Sequence, residues 1–131
     1  PIAFEMDDGD IKETIRPYIM GRIIDIEQFF AEYRCDPDAS ETMITFDIKD
    51  DFLDWNNHAF TVLFSKGSCT IIKQDSEYRV SLSIATLTTL LLGYKNAAQL
   101  SRMERIIGSQ PSVRKLDDVL FHEAPYISDY I

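Results

Sequence analysis

The sequence predicts an α+β fold, a mostly antiparallel sheet of about five strands with helices packed on one face. Three observations carry that prediction. Between Glu41 and Ile84, apolar residues recur at every second position in successive short runs, the period of strands with one buried face. The period then lengthens to three and four at Leu87, Leu90 and Leu91, one wide apolar stripe on a helix. With 131 residues, 45% hydrophobic and including eight Phe and six Tyr, the chain can bury one core.

Taken in order, the elements begin weakly. In residues 1–17, PIAFEM is strand-like and DDGD is a turn. Asp7-Asp8-Gly9-Asp10 resembles the opening of a calcium loop only superficially, because the later oxygen ligands and the terminal Glu are missing. Met20 to Tyr33 is a strand passing into a helix. Asp25 stands as N-cap with Gln28 completing a capping box, and Ile24 and Phe29 occupy the staple positions. Ile26, Phe29, Phe30 and Tyr33 form the buried stripe, and Cys35-Asp36-Pro37-Asp38 ends the helix. Arg22 lies among apolar residues and needs a partner if it points inward, as a structural ion pair or, less simply, a ligand contact.

Strands follow. Ile44, Phe46 and Ile48 point inward while Thr45, Asp47 and Lys49 point outward. Asn56-Asn57 sits in a polar connection with Trp55 beside it, at the rim of the fold or of a pocket. Phe60, Val62 and Phe64 alternate again. Lys66-Gly67 is a two-residue hairpin turn, and Cys69 and Ile71 lie on the return strand. Asp75-Ser76 turns into a strand with Val80, Leu82 and Ile84 inward. Four consecutive hairpin-linked strands are expected. A short helix then stops at Gly93, a second starts at Asn96 with Gln99 as its capping partner, and Gly108 closes it. Pro111 opens the last helix, whose stripe is Val113, Leu116, Val119 and Leu120. The final segment, HEAPYISDYI, is rich in aromatic and apolar residues that call for a docking site.

Charge and motifs exclude several functions. A net charge of −9, with 13 scattered basic residues against 22 acidic ones, argues against nucleic acid and favours cationic small molecules such as amines. The longest apolar run is too short and too interrupted to cross a bilayer, and no secretory signal opens the chain. Cys35 and Cys69 have no CxxC spacing and read as buried thiols of a cytoplasmic protein. GxGxxG and GxxxxGK[ST] are absent, and no Ser stands in a nucleophile elbow. His58 and His122 lack a second ligand at helical spacing, so no metal is expected. The chain begins at Pro1, which suggests a piece of a longer protein.

MGRIIDIEQFF, VSLSIATLTTLLLGYKNAAQLSRMERI and PYISDYI, in this order and spacing, resemble the C-terminal domain of the Eis-type (enhanced intracellular survival) N-acetyltransferases. The likeness covers about residues 18–131. It implies a sterol-carrier-protein-2-like fold following two acetyltransferase-type (GNAT) domains, with residues 1–17 as the last strand and linker from the preceding domain. It further implies acetyl transfer from acetyl-CoA to amines of cationic substrates, aminoglycosides among them. The cofactor site and the general-acid Tyr lie in the GNAT part, so this segment holds no cofactor and is expected to be inactive alone. The family's chain ends inside the active site, which makes the α-carboxylate of Ile131 the implied base, flanked by Tyr130 and Asp129. Family members commonly end in an aromatic residue, so Ile131 departs in side chain while keeping the charge.

Two other functions fit the residues. A carrier module would hold an apolar ligand in a cavity lined by Ile84, Leu87, Leu91, Phe46 and Phe64. The Leu-rich helices also suit a homo-oligomer.

Overall fold

The computed structural model describes residues 18, 19, 22, 23 and 25–120, with the side chains of 18, 19 and 22 left aside. Two short strands, β1 (Tyr18–Ile19) and β2 (Arg22–Ile23), pair antiparallel with Ile19 opposite Arg22. Helix α1 spans Ile26–Glu32. Its N-terminus forms where expected: the Asp25 carboxylate accepts from the Gln28 amide, and Ile26, Phe29 and Phe30 are buried. The Tyr33 ring continues that stripe, 5.5 Å from Phe29 and 6.3 Å from Phe30.

The main sheet holds β3 (Thr42–Lys49), β4 (Ala59–Ser65), β5 (Ser68–Ile72), β6 (Arg79–Ser83) and β7 (Ile106–Gly108), in the order β5-β4-β3-β6-β7. Lys66 and Gly67 take φ of 54° and 83°, the left-handed pair that a twisted two-residue hairpin requires. Phe46 opposite Phe60 and Ile44 opposite Val62 fix the register, with one face buried.

The expected run of four hairpin-linked strands stops after three. β6 leaves the β5 edge, crosses the sheet and pairs with β3 in parallel, Phe46 beside Val80. Thr45 explains the crossing. It was expected to face outward into solvent, yet it is fully buried, because the connection lies over it. Its hydroxyl meets Thr61 Oγ1 at 2.8 Å and accepts from the Ser76 amide at 3.1 Å, while the Ser76 hydroxyl donates to the Met43 carbonyl. Side chains on the open face therefore latch the loop and select the pairing.

Ile84 is not the last inward residue of a strand but the first of helix α2 (Ile84–Leu91), capped by Ser83, whose hydroxyl accepts from the Thr86 amide. The helix ends as expected at Gly93, in a left-handed cap with φ of 84°. The Gly93 amide donates to Leu90 and the Tyr94 amide to Thr89, the two bonds of a Schellman motif. Helix α3 (Ala97–Arg102) starts from Asn96 in a complete capping box with Gln99.

Gly108 does not close this helix. α3 ends at Arg102 in a second Schellman motif, with the Glu104 amide on Ser101 and the Arg105 amide on Leu100; Glu104, at φ 61°, fills the position Gly93 fills in the first. Ile106, Ile107 and Gly108 then form the edge strand β7. Gly108 lies flat against β6, where a Cβ would stand 2.9 Å from the Arg79 carbonyl oxygen. Helix α4 (Gln110–Val119) is capped by Ser109, with Pro111 in its first turn. Its buried face, Val113, Leu116 and Val119, joins the inward side chains of the sheet and the other helices in one core.

Candidate functional site

The four residues singled out from the sequence are the starting point. Asp129, Tyr130 and Ile131 lie outside the described residues, as does His122. Arg22 is placed by its backbone only, in β2. The next residue ties that strand to the helical layer, because the Ile23 amide donates to the Thr88 hydroxyl of α2 at 3.1 Å. The boundary proposed at residues 17 and 18 and the turn at Asp7-Asp8-Gly9-Asp10 also fall outside.

The described surface does show where the chain leaves α4. Leu120 lines a cleft of about 260 Å³ together with Leu90, Gly93, Tyr94, Lys95, Asn96, Gln99 and Asp117. Local sequence builds each wall. The glycine cap turns the chain after α2, and the Asn96–Gln99 box starts α3. From α4, Asp117 reaches across to accept from the Ala97 amide at 2.7 Å and the Ala98 amide at 3.0 Å. That carboxylate neutralises two amides that α3 leaves without an intrahelical partner. Asp117 is thereby a clamp between two helices, and the cleft it borders is polar. Such an arrangement can seat and orient a segment or ligand; the Asp117 carboxylate and the Asn96 and Gln99 side chains in its walls are engaged in holding the helix ends.

A second network escaped the sequence reading. Asp50 and Asn56 are buried in the connection between β3 and β4, around a short 3-10 turn at Asp54–Asn56. The Asp50 carboxylate accepts from the amides of Phe52 and Leu53 and from Asn56 Nδ2, and Asn56 Oδ1 accepts from the Ile26 amide at the start of α1. An Asp followed by amides two and three residues on is an Asx-turn pattern. That signal is readable in DDFLDWNN; its docking against α1 is not. The turn holds Phe52 and Trp55 outward, 83% and 56% exposed.

Three further chemistry-bearing side chains, Cys35, Cys69 and Tyr33, are structural. Cys35 and Cys69 are free, buried and in hydrogen-bonding contact, and the Cys35 sulfur also lies 3.6 Å from the Ser68 carbonyl oxygen. Desolvation by burial pushes both thiols, and the nearby Tyr33 hydroxyl, above their ordinary values, so all three stay protonated at neutral pH and the thiols are poor nucleophiles. His58 has Nδ1 3.0 Å from the Ala59 carbonyl oxygen and its ring stacked on Phe60 at 4.0 Å. Among the described residues no group of three His, Cys, Asp or Glu is set to hold a metal, and no helix is long and apolar enough to cross a membrane.

Comparison with solved structures gives the fold a setting. A protein of Enterococcus faecalis V583, described as of unknown function and a probable N-acyltransferase, is 26% identical with a TM-score of 0.69. The match covers 76% of this chain and 25% of that one. A GCN5-related N-acetyltransferase from Anabaena variabilis ATCC 29413 matches at 18% identity and TM-score 0.70, over 79% of this chain and 26% of that one. Eis1 from Mycobacterium abscessus matches at 21% and 0.60, over 75% and 24%. The chain thus spans about a quarter of the length of each, and it has the fold of one part of these proteins. No curated protein matches the chain. The sterol carrier protein domain family matches residues 26–128, from the first turn of α1 past the end of α4, and the chain belongs to that family.

Proposed function

We propose that this chain serves as the C-terminal sterol-carrier-type domain of an Eis-type GNAT N-acetyltransferase, bordering the amine site and ending there in the carboxylate of Ile131. The observation that supports this most is the 26% identity, at TM-score 0.69, to a quarter of the probable N-acyltransferase from Enterococcus faecalis. In this reading acetyl-CoA is held by the GNAT portion, consistent with the absence of a phosphate-cradling glycine loop from this sequence.

The chemistry asks little of this domain, but what it asks is specific. The substrate arrives as an ammonium ion, drawn by the excess of acidic residues. Its proton passes to the Ile131 carboxylate, directly or through one water, and the freed amine attacks the thioester carbonyl. The C–S bond breaks, the acetyl group stays on nitrogen, the nitrogen gives up its second proton to water, and the CoA thiolate takes a proton from an acid of the GNAT part. A carboxylate in a partly desolvated cleft is a stronger base than one in water, and it still attracts the cation. Tyr130 and Asp129 flank that group, and Arg22 is the third residue assigned to the substrate side. Without cofactor or acid the isolated chain performs no turnover.

The carrier reading has less support. Ile84, Leu87, Leu91, Phe46 and Phe64 are all buried in the packed core, and the cleft bordered by Leu120 is lined by other residues.

In the longer protein, removing Ile131 or appending residues after it moves the carboxylate. Turnover then falls by about 10²-fold or more while acetyl-CoA binding is retained. Undiminished turnover after both edits would take the carboxylate out of the mechanism.

A further inference from the structure

We infer that the open face of the sheet carries a separate site, a groove that binds a soluble organic phosphate monoester. Register brings the groove together. Asp47 of β3, Ser81 of β6 and Ile107 of β7 stand in one row across three strands. One step further along the same face come Lys49, opposite Ser83, and Arg105, immediately before β7. Only β6 separates the strands that carry the two cations, so their backbones are about 10 Å apart, within reach of one tetrahedral anion for two long side chains. With His58 they line a groove of about 540 Å³, in which Ile107 is 62% exposed.

Charge in this groove departs from the balance of the whole sequence. The chain carries 22 acidic residues against 13 basic ones, yet this groove is lined by Lys49 and Arg105 against a single carboxylate, Asp47. That carboxylate is met by Arg79 at 3.6 Å. Two neighbouring cations suit a dianion, and the guanidinium fork matches phosphate oxygens. Ile107 offers an apolar floor for the organic group. The ligand is a soluble one, because a chain of net charge −9 is repelled by an anionic bilayer surface. None of this depends on the acetyltransferase reading.

The test is a titration of the 131-residue chain with phenyl phosphate, followed by amide chemical shifts. Saturable shifts are expected at Lys49, Ser81, Arg105 and Ile107, with no response to phenol or benzylamine. Lys49→Gln combined with Arg105→Gln, both exposed positions, weakens binding by at least about tenfold while the remaining spectrum is unchanged. Unsaturated shifts up to about 10 mM, or undiminished affinity in the folded double variant, would overturn the site. Pelleting with phosphatidate vesicles without a response to phenyl phosphate would overturn its assignment to a soluble ligand.

Discussion

Three protons buried at the base of α1 give the molecule a dependence on alkaline pH. Tyr33, Cys35 and Cys69 all have proton affinities raised by desolvation from ordinary values of 10.0 for the phenol and 9.0 for the thiols. The folded state keeps these protons after the unfolded chain has released them. Above the unfolded values the native state therefore binds more protons, and stability falls as pH rises. Below about pH 9 the contribution is constant. Urea midpoints at about pH 8 and about pH 10.5 are expected to differ, with most of the difference removed in Cys35→Ala/Cys69→Ala and a smaller part in Tyr33→Phe. Equal pH dependence in parent and variants would contradict it. The residues behind this effect were visible as buried from the sequence, since Tyr33 completes the α1 stripe and neither cysteine has a motif. Their mutual contact was not visible, because it arises only when the β4–β5 hairpin folds back to the end of α1, where the Cys35 amide donates to the Gly67 carbonyl.

At the scale of elements, two helix ends with the same hydrogen-bond pattern show what a sequence makes legible. Gly93 announces the end of α2, because glycine takes φ of 84° without steric cost. Glu104 does the same work at the end of α3 with φ of 61°, and nothing in its side chain advertises it. The helix was accordingly read six residues too far, to Gly108, and β7 went unseen. Glu104→Gly removes the left-handed penalty and is expected to stabilise the domain by about 1 kcal/mol, less the entropy glycine adds to the unfolded chain. An unchanged or lowered urea midpoint would mean that the Glu104 side chain compensates for its backbone. The crossing from β5 to β6 was opaque for a related reason. A polar connection after a strand reads as a hairpin turn, and only the Thr45–Thr61–Ser76 cluster on the open face turns it into a crossover.

For the whole molecule, the alternation of strands and the stripe of α2 sufficed for the α+β architecture, and the core they implied is the core observed. Function was less accessible, because no residue type or spacing in 131 positions encodes a complete catalytic set. What pointed beyond a generic domain was resemblance over three ordered segments, and the family match and the shared fold support its coarser part, a sterol-carrier-type domain. The finer part concerns a main-chain group, which sequence patterns do not mark. The most direct test of the proposed function is therefore to amidate the C-terminus of the acetyltransferase to which the proposal assigns this chain, keeping every side chain and deleting one charge at Ile131. The account predicts a fall in kcat of about 10²-fold or more with acetyl-CoA affinity unaltered; an amidated enzyme that turns over like its parent would contradict it.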